Sequence, residues 1–144
     1  VDHGLIWVLL SEALLFTKKY RKWGILALLA LLCGHILGNV IIKPWIQRPR
    51  PFSFVPDMTL LILPPTDFSF PSGHTMSSFI AATVFFFMDR KMGLLAYCLA
   101  ALISFSRLYL YVHFPSDVLS GAILGVLLAW GLCLLFLRFC RKQE

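Results

Sequence analysis

Five apolar runs alternate with short polar connections along the chain. The first extends from Gly4 to Phe16, the second from Gly24 to Ile42, the third from His74 to Met88, the fourth from Gly93 to Val112 and the fifth from Asp117 to Phe139. Crossing a bilayer as a helix takes about 17–25 residues. The second, fourth and fifth runs meet that length, the third is at its margin, and the first is short. The expected fold is therefore all-α: a polytopic transmembrane bundle with five spanning helices, forming a single domain over residues 1–144.

The polar connections differ in kind. Lys18, Lys19, Arg21 and Lys22 lie in the first, Arg90 and Lys91 follow the third run, and Arg138, Arg141 and Lys142 end the fifth. Five antiparallel spans put these nine of the thirteen cations on one side, which the positive-inside rule makes cytoplasmic. The other side receives the N-terminus, the stretch 43–71 and the turn 113–116. The stretch 43–71 contains seven of the eight prolines, so it reads as an irregular extracytoplasmic loop, with a short interfacial helix expected near Met58–Leu63.

Composition sharpens this picture. Hydrophobic residues make up 59% of the chain and charged residues 14%, too apolar for a soluble domain. The net charge of +6 would suggest nucleic acid in a soluble protein, but its place in short turns assigns it to membrane topology and headgroups instead. Cys33, Cys98, Cys133 and Cys140 lie in or at the end of apolar runs without C-x-x-C spacing, and read as structural thiols. Glu12 and His35 are polar residues inside apolar runs; structural hydrogen bonding, or a neutral Glu12, is expected of them.

The four remaining cations break the topology rule and need another reason. They fall within the first and last of three clusters at the outer ends of the runs: Lys43, six residues, Arg50-Pro51; then Pro71-Ser72-Gly73-His74; then Ser106-Arg107, five residues, His113, three residues, Asp117. Arg presents a planar fork to phosphate oxygens and Lys a mobile point charge, so Lys43, Arg50 and Arg107 suit a bound phosphate. Arg48 is assigned to headgroup contact. Ser72 is a candidate N-cap, and the helix start beyond it offers amides to an anion, which Gly73 allows to approach closely. Pro115 suits a first helical turn, placing Asp117 where it can reach back to His113 and orient the ring. Two His and one Asp also form a possible metal set, but three cations beside them favour an anion.

These clusters resemble the signature of the type-2 phosphatidic acid phosphatase superfamily, which includes membrane lipid phosphatases; every defining residue is present, over Lys43 to Asp117. The resemblance implies that His113 attacks phosphorus to form a phosphohistidine, that Asp117 orients it, and that His74 protonates the leaving oxygen. It implies that Lys43, Arg50, Arg107, Ser72 and Gly73 hold the phosphoryl oxygens, and that neither metal nor cofactor is required. The implied partners are the bilayer and a lipid phosphate. An isoprenoid diphosphate such as undecaprenyl diphosphate ranks first, with phosphatidylglycerophosphate or phosphatidic acid as alternatives. Phosphotransfer to another acceptor, or non-catalytic lipid-phosphate binding or transport, are the competing classes. Membrane members usually have six spans, so a helix preceding Val1 is expected to have been lost, removed or to lie outside this chain.

Overall fold

The computed structural model describes residues 4–142 and is helical throughout its regular elements. In chain order these are α1 (Leu5–Leu15), α2 (Arg21–His35), a π-helical segment (Ile36–Ile42), α3 (Lys43–Ile46), a 3-10 turn (Pro51–Phe54), α4 (Gly73–Met88), α5 (Arg90–Tyr109) and α6 (Pro115–Arg141). They coincide with the five apolar runs, each within a few residues. The α2–α3 rod, α5 and α6 are long and apolar enough to cross a membrane, while α1 and α4, at 11 and 16 residues, are shorter. The exposure of α5 and α6 fits a lipid surrounding: only 22% of the apolar window of each is buried. Val1, His3 and the orientation expected of the N-terminus lie outside the described residues.

The interior is built around α4. It packs against α5, α6 and α2, and its buried face includes Met76, Ile80, Ala81, Val84 and Phe85. Trp7 fastens α1 to it, with the indole Nε1 donating to Ser78 Oγ at 2.8 Å and the ring tilted against Phe85. Asp89 alone separates α4 from α5; its carboxylate caps α5 by accepting from the Met92 amide at 3.0 Å.

One stripe of α6 decides where its Asp117 end sits. Asp117, Gly121, Gly125, Ala129 and Cys133 are its buried residues and recur every fourth position. Small side chains let two helix backbones approach closely. A Cβ on Gly121 would lie 2.7 Å from the Ser72 carbonyl oxygen, and one on Gly125 would lie 2.6 Å from that of Met76. Both obstacles are backbone, so neither can rotate away. Gly121→Ala is therefore expected to push α6 from the start of α4, costing about 1–3 kcal/mol, measured as a lower midpoint of thermal unfolding in detergent together with reduced activity.

The π segment leads directly into Pro44. Proline cannot donate to the carbonyl four residues back and its ring presses on it. The wider turn just before it, in which the Lys43 amide bonds Gly38 rather than Asn39, absorbs that demand and keeps the rod continuous. Lys43 is thereby carried to the end of a spanning element.

One expectation is corrected. Residues 58–63 are not helical: prolines at 56, 64 and 65 bracket a run too short to nucleate a helix, and the short helical turn forms at Pro51, which fits a first helical position. Glu12 is exposed on α1 and has no hydrogen bond among the described residues. His35 does bond, its Nδ1 lying 3.0 Å from Asn39 Nδ2. All four cysteines are free thiols.

Candidate active site

The three polar clusters meet at one end of the bundle. α3 delivers Lys43, the start of α4 delivers Ser72, Gly73 and His74, the α5–α6 connection delivers His113, and the first turn of α6 delivers Asp117. The Ser72 amide donates to the Asp117 carbonyl at 3.1 Å, joining the second cluster to the third through backbone. Ser72 is the N-cap of α4, accepting from the Thr75 amide at 3.5 Å and from Thr75 Oγ1 at 3.1 Å. A helix start leaves its first amides without intrahelical acceptors, so that of Gly73 is available to an anion. Ser72 and Gly73 are buried and His74 is half-buried.

His113 is buried at the centre of this arrangement. Its Nε2 lies 3.2 Å from Arg50 Nη1, and its Nδ1 lies 3.5 Å from Ser69 Oγ and 3.6 Å from Asp117 Oδ2. A guanidinium only donates, so Nε2 must be the accepting nitrogen and the ring proton resides on Nδ1, facing Asp117. Burial lowers the His113 pKa from its ordinary 6.5; the Asp117 bond opposes this, and the charges of Arg50 and Lys43 reinforce it. The result is a neutral imidazole with a lone pair on Nε2.

Asp117 is completely buried and fully engaged. It accepts from Arg48 Nη1 at 2.7 Å, from the Phe114 amide at 2.8 Å and from the Ser69 hydroxyl. Arg48 also donates to Ser116 Oγ at 2.7 Å, and its guanidinium covers the Phe114 ring at 4.1 Å. Arg48 is thus a partner of the carboxylate and not a headgroup contact. A buried carboxylate demands a counter-charge, and Arg48 reaches it from the loop while its own side chain stays partly exposed.

Lys43 and Arg50 are both buried and both bound to Asp67. Lys43 Nζ bonds Asp67 Oδ2, Arg50 Nη2 donates to Oδ1 at 2.6 Å, and Arg50 Nε donates to the Asp67 carbonyl at 2.9 Å. Burial would raise the Asp67 pKa, but the bond and charge of Lys43, followed by those of Arg50, hold it at about 2. Arg50 further donates to the Val112 carbonyl at 2.8 Å. Arg107 is bound differently: its guanidinium bonds Ser106 Oγ at 3.1 Å from both Nε and Nη2. Among the described residues no three His, Cys, Asp or Glu side chains converge as a metal site.

Sequence reasoning overlooked Asp67, Ser69 and the role of Arg48. Asp67 and Ser69 lie in a loop without periodicity, where a lone acid and a lone hydroxyl read as solvated. The available signal was arithmetic: two cations placed near a buried site, and a buried carboxylate, each require partners.

Comparison with known proteins agrees with this geometry. The sequence model of the family described as "PAP2 superfamily" matches residues 23–141. The undecaprenyl-diphosphatase of Sulfolobus acidocaldarius is 38% identical over 121 residues, covering 83% of this chain and 58% of that protein. Phosphatidylglycerophosphatase B of Bacillus subtilis is 38% identical over 121 residues, covering 76% of this chain and 57% of that protein. This chain thus spans somewhat over half the length of these curated relatives. The crystal structure of a transmembrane PAP2-type phosphatidylglycerolphosphate phosphatase from Bacillus subtilis superposes with a TM-score of 0.72 at 32% identity, over 97% of this chain and 69% of that one. With the family match running through all but the first helix, and with a histidine–carboxylate pair set among cations in the middle of it, this chain belongs to the PAP2 superfamily.

Proposed function

We propose that the chain is a membrane phosphatase that removes the terminal phosphate of a lipid phosphate or isoprenoid diphosphate through a phosphohistidine on His113. The observation that carries this reading is the state of the His113 ring, which is buried and neutral with Nε2 as its acceptor and Asp117 beyond Nδ1. Such a nitrogen is a nucleophile.

In the proposed cycle His113 Nε2 attacks phosphorus while the bond to the leaving oxygen breaks and His74 protonates that oxygen. Positive charge builds on the ring, and Asp117 stabilises the Nδ1–H. Lys43, Arg50, Arg107, Ser72 and the Gly73 amide hold the phosphoryl oxygens, which carry the developing charge. Water, giving a proton to His74, then attacks the phosphohistidine and releases inorganic phosphate. The nine cations of the opposite turns support an extracytoplasmic position for the site. The relatives named for undecaprenyl diphosphate and phosphatidylglycerophosphate support a lipid substrate, with the isoprenoid diphosphate placed first.

Phosphate release from a panel of lipid monophosphates and diphosphates tests this. Release from undecaprenyl diphosphate above all others supports the reading, and release from none of them overturns it. The pH profile gives a second check. The protonated ring cannot attack, so activity is lost as pH falls through the pKa of His113. That pKa is below the ordinary 6.5, so the acid limb of kcat/KM is expected below pH 6.5. An acid limb above that value contradicts a buried, neutral His113.

A further inference from the structure

Asp67 has no part in the chemistry above, yet it consumes both buried cations of the first cluster. Its two oxygens are divided between Lys43 and Arg50, in the manner of two oxygens of a phosphate. Its side chain is 38% exposed, against 3% for either cation. The carboxylate is therefore at the mouth of the seat and the cations at its floor. The loop that carries it has no helix between Val55 and Ser72, so it can withdraw without unravelling a spanning element. Arg50 links this contact to the nucleophile, because the guanidinium that holds Asp67 through Nη2 also covers His113 Nε2 through Nη1.

We propose that Asp67 guards the phosphate seat: its carboxylate occupies the seat, so that under membrane conditions a terminal phosphate dianion displaces it to a useful occupancy and a phosphodiester monoanion does not. The inference rests on the function proposed above. A phosphodiester shares one negative charge over two free oxygens, which is what the carboxylate already provides. It must also displace a group tethered beside the seat, whose effective concentration is high. A phosphomonoester or the end of a diphosphate brings three oxygens and up to two charges. Displacement weakens every anion by the same factor; the selection arises because the monoanion then falls below useful occupancy. A bilayer presents phosphodiester headgroups in great excess over any phosphorylated lipid, so a seat without such a guard would be filled by bulk lipid.

The test compares the wild-type chain with Asp67→Asn and Asp67→Glu in detergent micelles. Phosphate release is assayed against inorganic phosphate and against micelles doped with phosphatidylglycerol, a phosphodiester. Asp67→Asn is expected to lower the inhibition constant of inorganic phosphate about tenfold, the equivalent of one lost charged hydrogen-bond partner. Phosphatidylglycerol, without effect on wild type, is expected to become a competitive inhibitor of Asp67→Asn, while Asp67→Glu remains close to wild type. Equal or weaker phosphate binding by a folded Asp67→Asn, with phosphatidylglycerol still inert, overturns the proposal and makes Asp67 a residue that merely positions the cations. Should Asp67→Asn fail to fold, hydrogen exchange on wild type decides: saturating phosphate is expected to speed exchange at residues 66–68, and slowed or unchanged exchange overturns the proposal. A wild-type chain that neither releases nor binds phosphate refutes the proposed function instead.

Discussion

Replacing His113 by Ala is expected to lower phosphate release at least about 10³-fold while leaving the fold intact, as judged by helical content and unfolding midpoint. The side chain sits in a pocket made by Arg50, Ser69 and Asp117, all of which have other partners. Losing the ring therefore strands none of them, and the damage is confined to chemistry. Rapid acid-free quenching of wild type with labelled substrate is expected to trap label on the protein, and His113→Ala is expected to trap none. Unchanged phosphate release by the folded variant would refute His113 as nucleophile.

The second large effect belongs to Arg50. It donates through Nε to the Asp67 carbonyl, through Nη1 to the Val112 carbonyl and toward His113 Nε2, and through Nη2 to the Asp67 carboxylate. One side chain thus ties the proline-rich loop to the α5–α6 connection. Arg50→Ala is expected to reduce kcat about 10²–10³-fold, the usual loss when one donor to transition-state charge is removed. It is also expected to lower the unfolding midpoint, because the Val112 carbonyl and Asp67 lose a partner together. Arg50→Lys is expected to recover little: a single ammonium cannot span acceptors on three sides as a rigid fork does. Near-normal activity in Arg50→Lys would show that charge alone is needed at this position. The contrast with His113→Ala is diagnostic, since only the Arg50 variants are expected to lose stability along with rate.

The spanning helices and the motif residues were legible in the sequence for a simple reason. Hydrophobic runs set helix existence in lipid almost without reference to neighbours, and Lys43, Arg50, Ser72, His113 and Asp117 occur at element ends where polarity has to be explained. The loop between α3 and α4 was less legible. Its backbone is governed by prolines and by long-range partners rather than by periodicity, so nothing local marked Asp67 as the mate of Lys43, 24 residues away, or Ser69 as a donor to Asp117. Arg48 failed for a related reason: an arginine near an interface has a ready explanation in headgroups, and only the buried carboxylate 69 residues later replaces it. Arg107 has the opposite status. The motif assigns it to a phosphate, whereas its guanidinium bonds here go to Ser106.

The ladder of small residues on α6 has one more implication. Asp117 is its top rung, four positions above Gly121, so the surface that seats α6 against α4 and the carboxylate that orients His113 are read from one angular setting of one rod. Adding or removing a residue between these rungs turns them about 100° apart. Either Gly121 would then keep its fit and Asp117 would face lipid, or Asp117 would keep its post and the fit would be lost. The helix acts as a gauge, in which correct assembly of the bundle and correct aim of the Asp117 carboxylate are a single measurement.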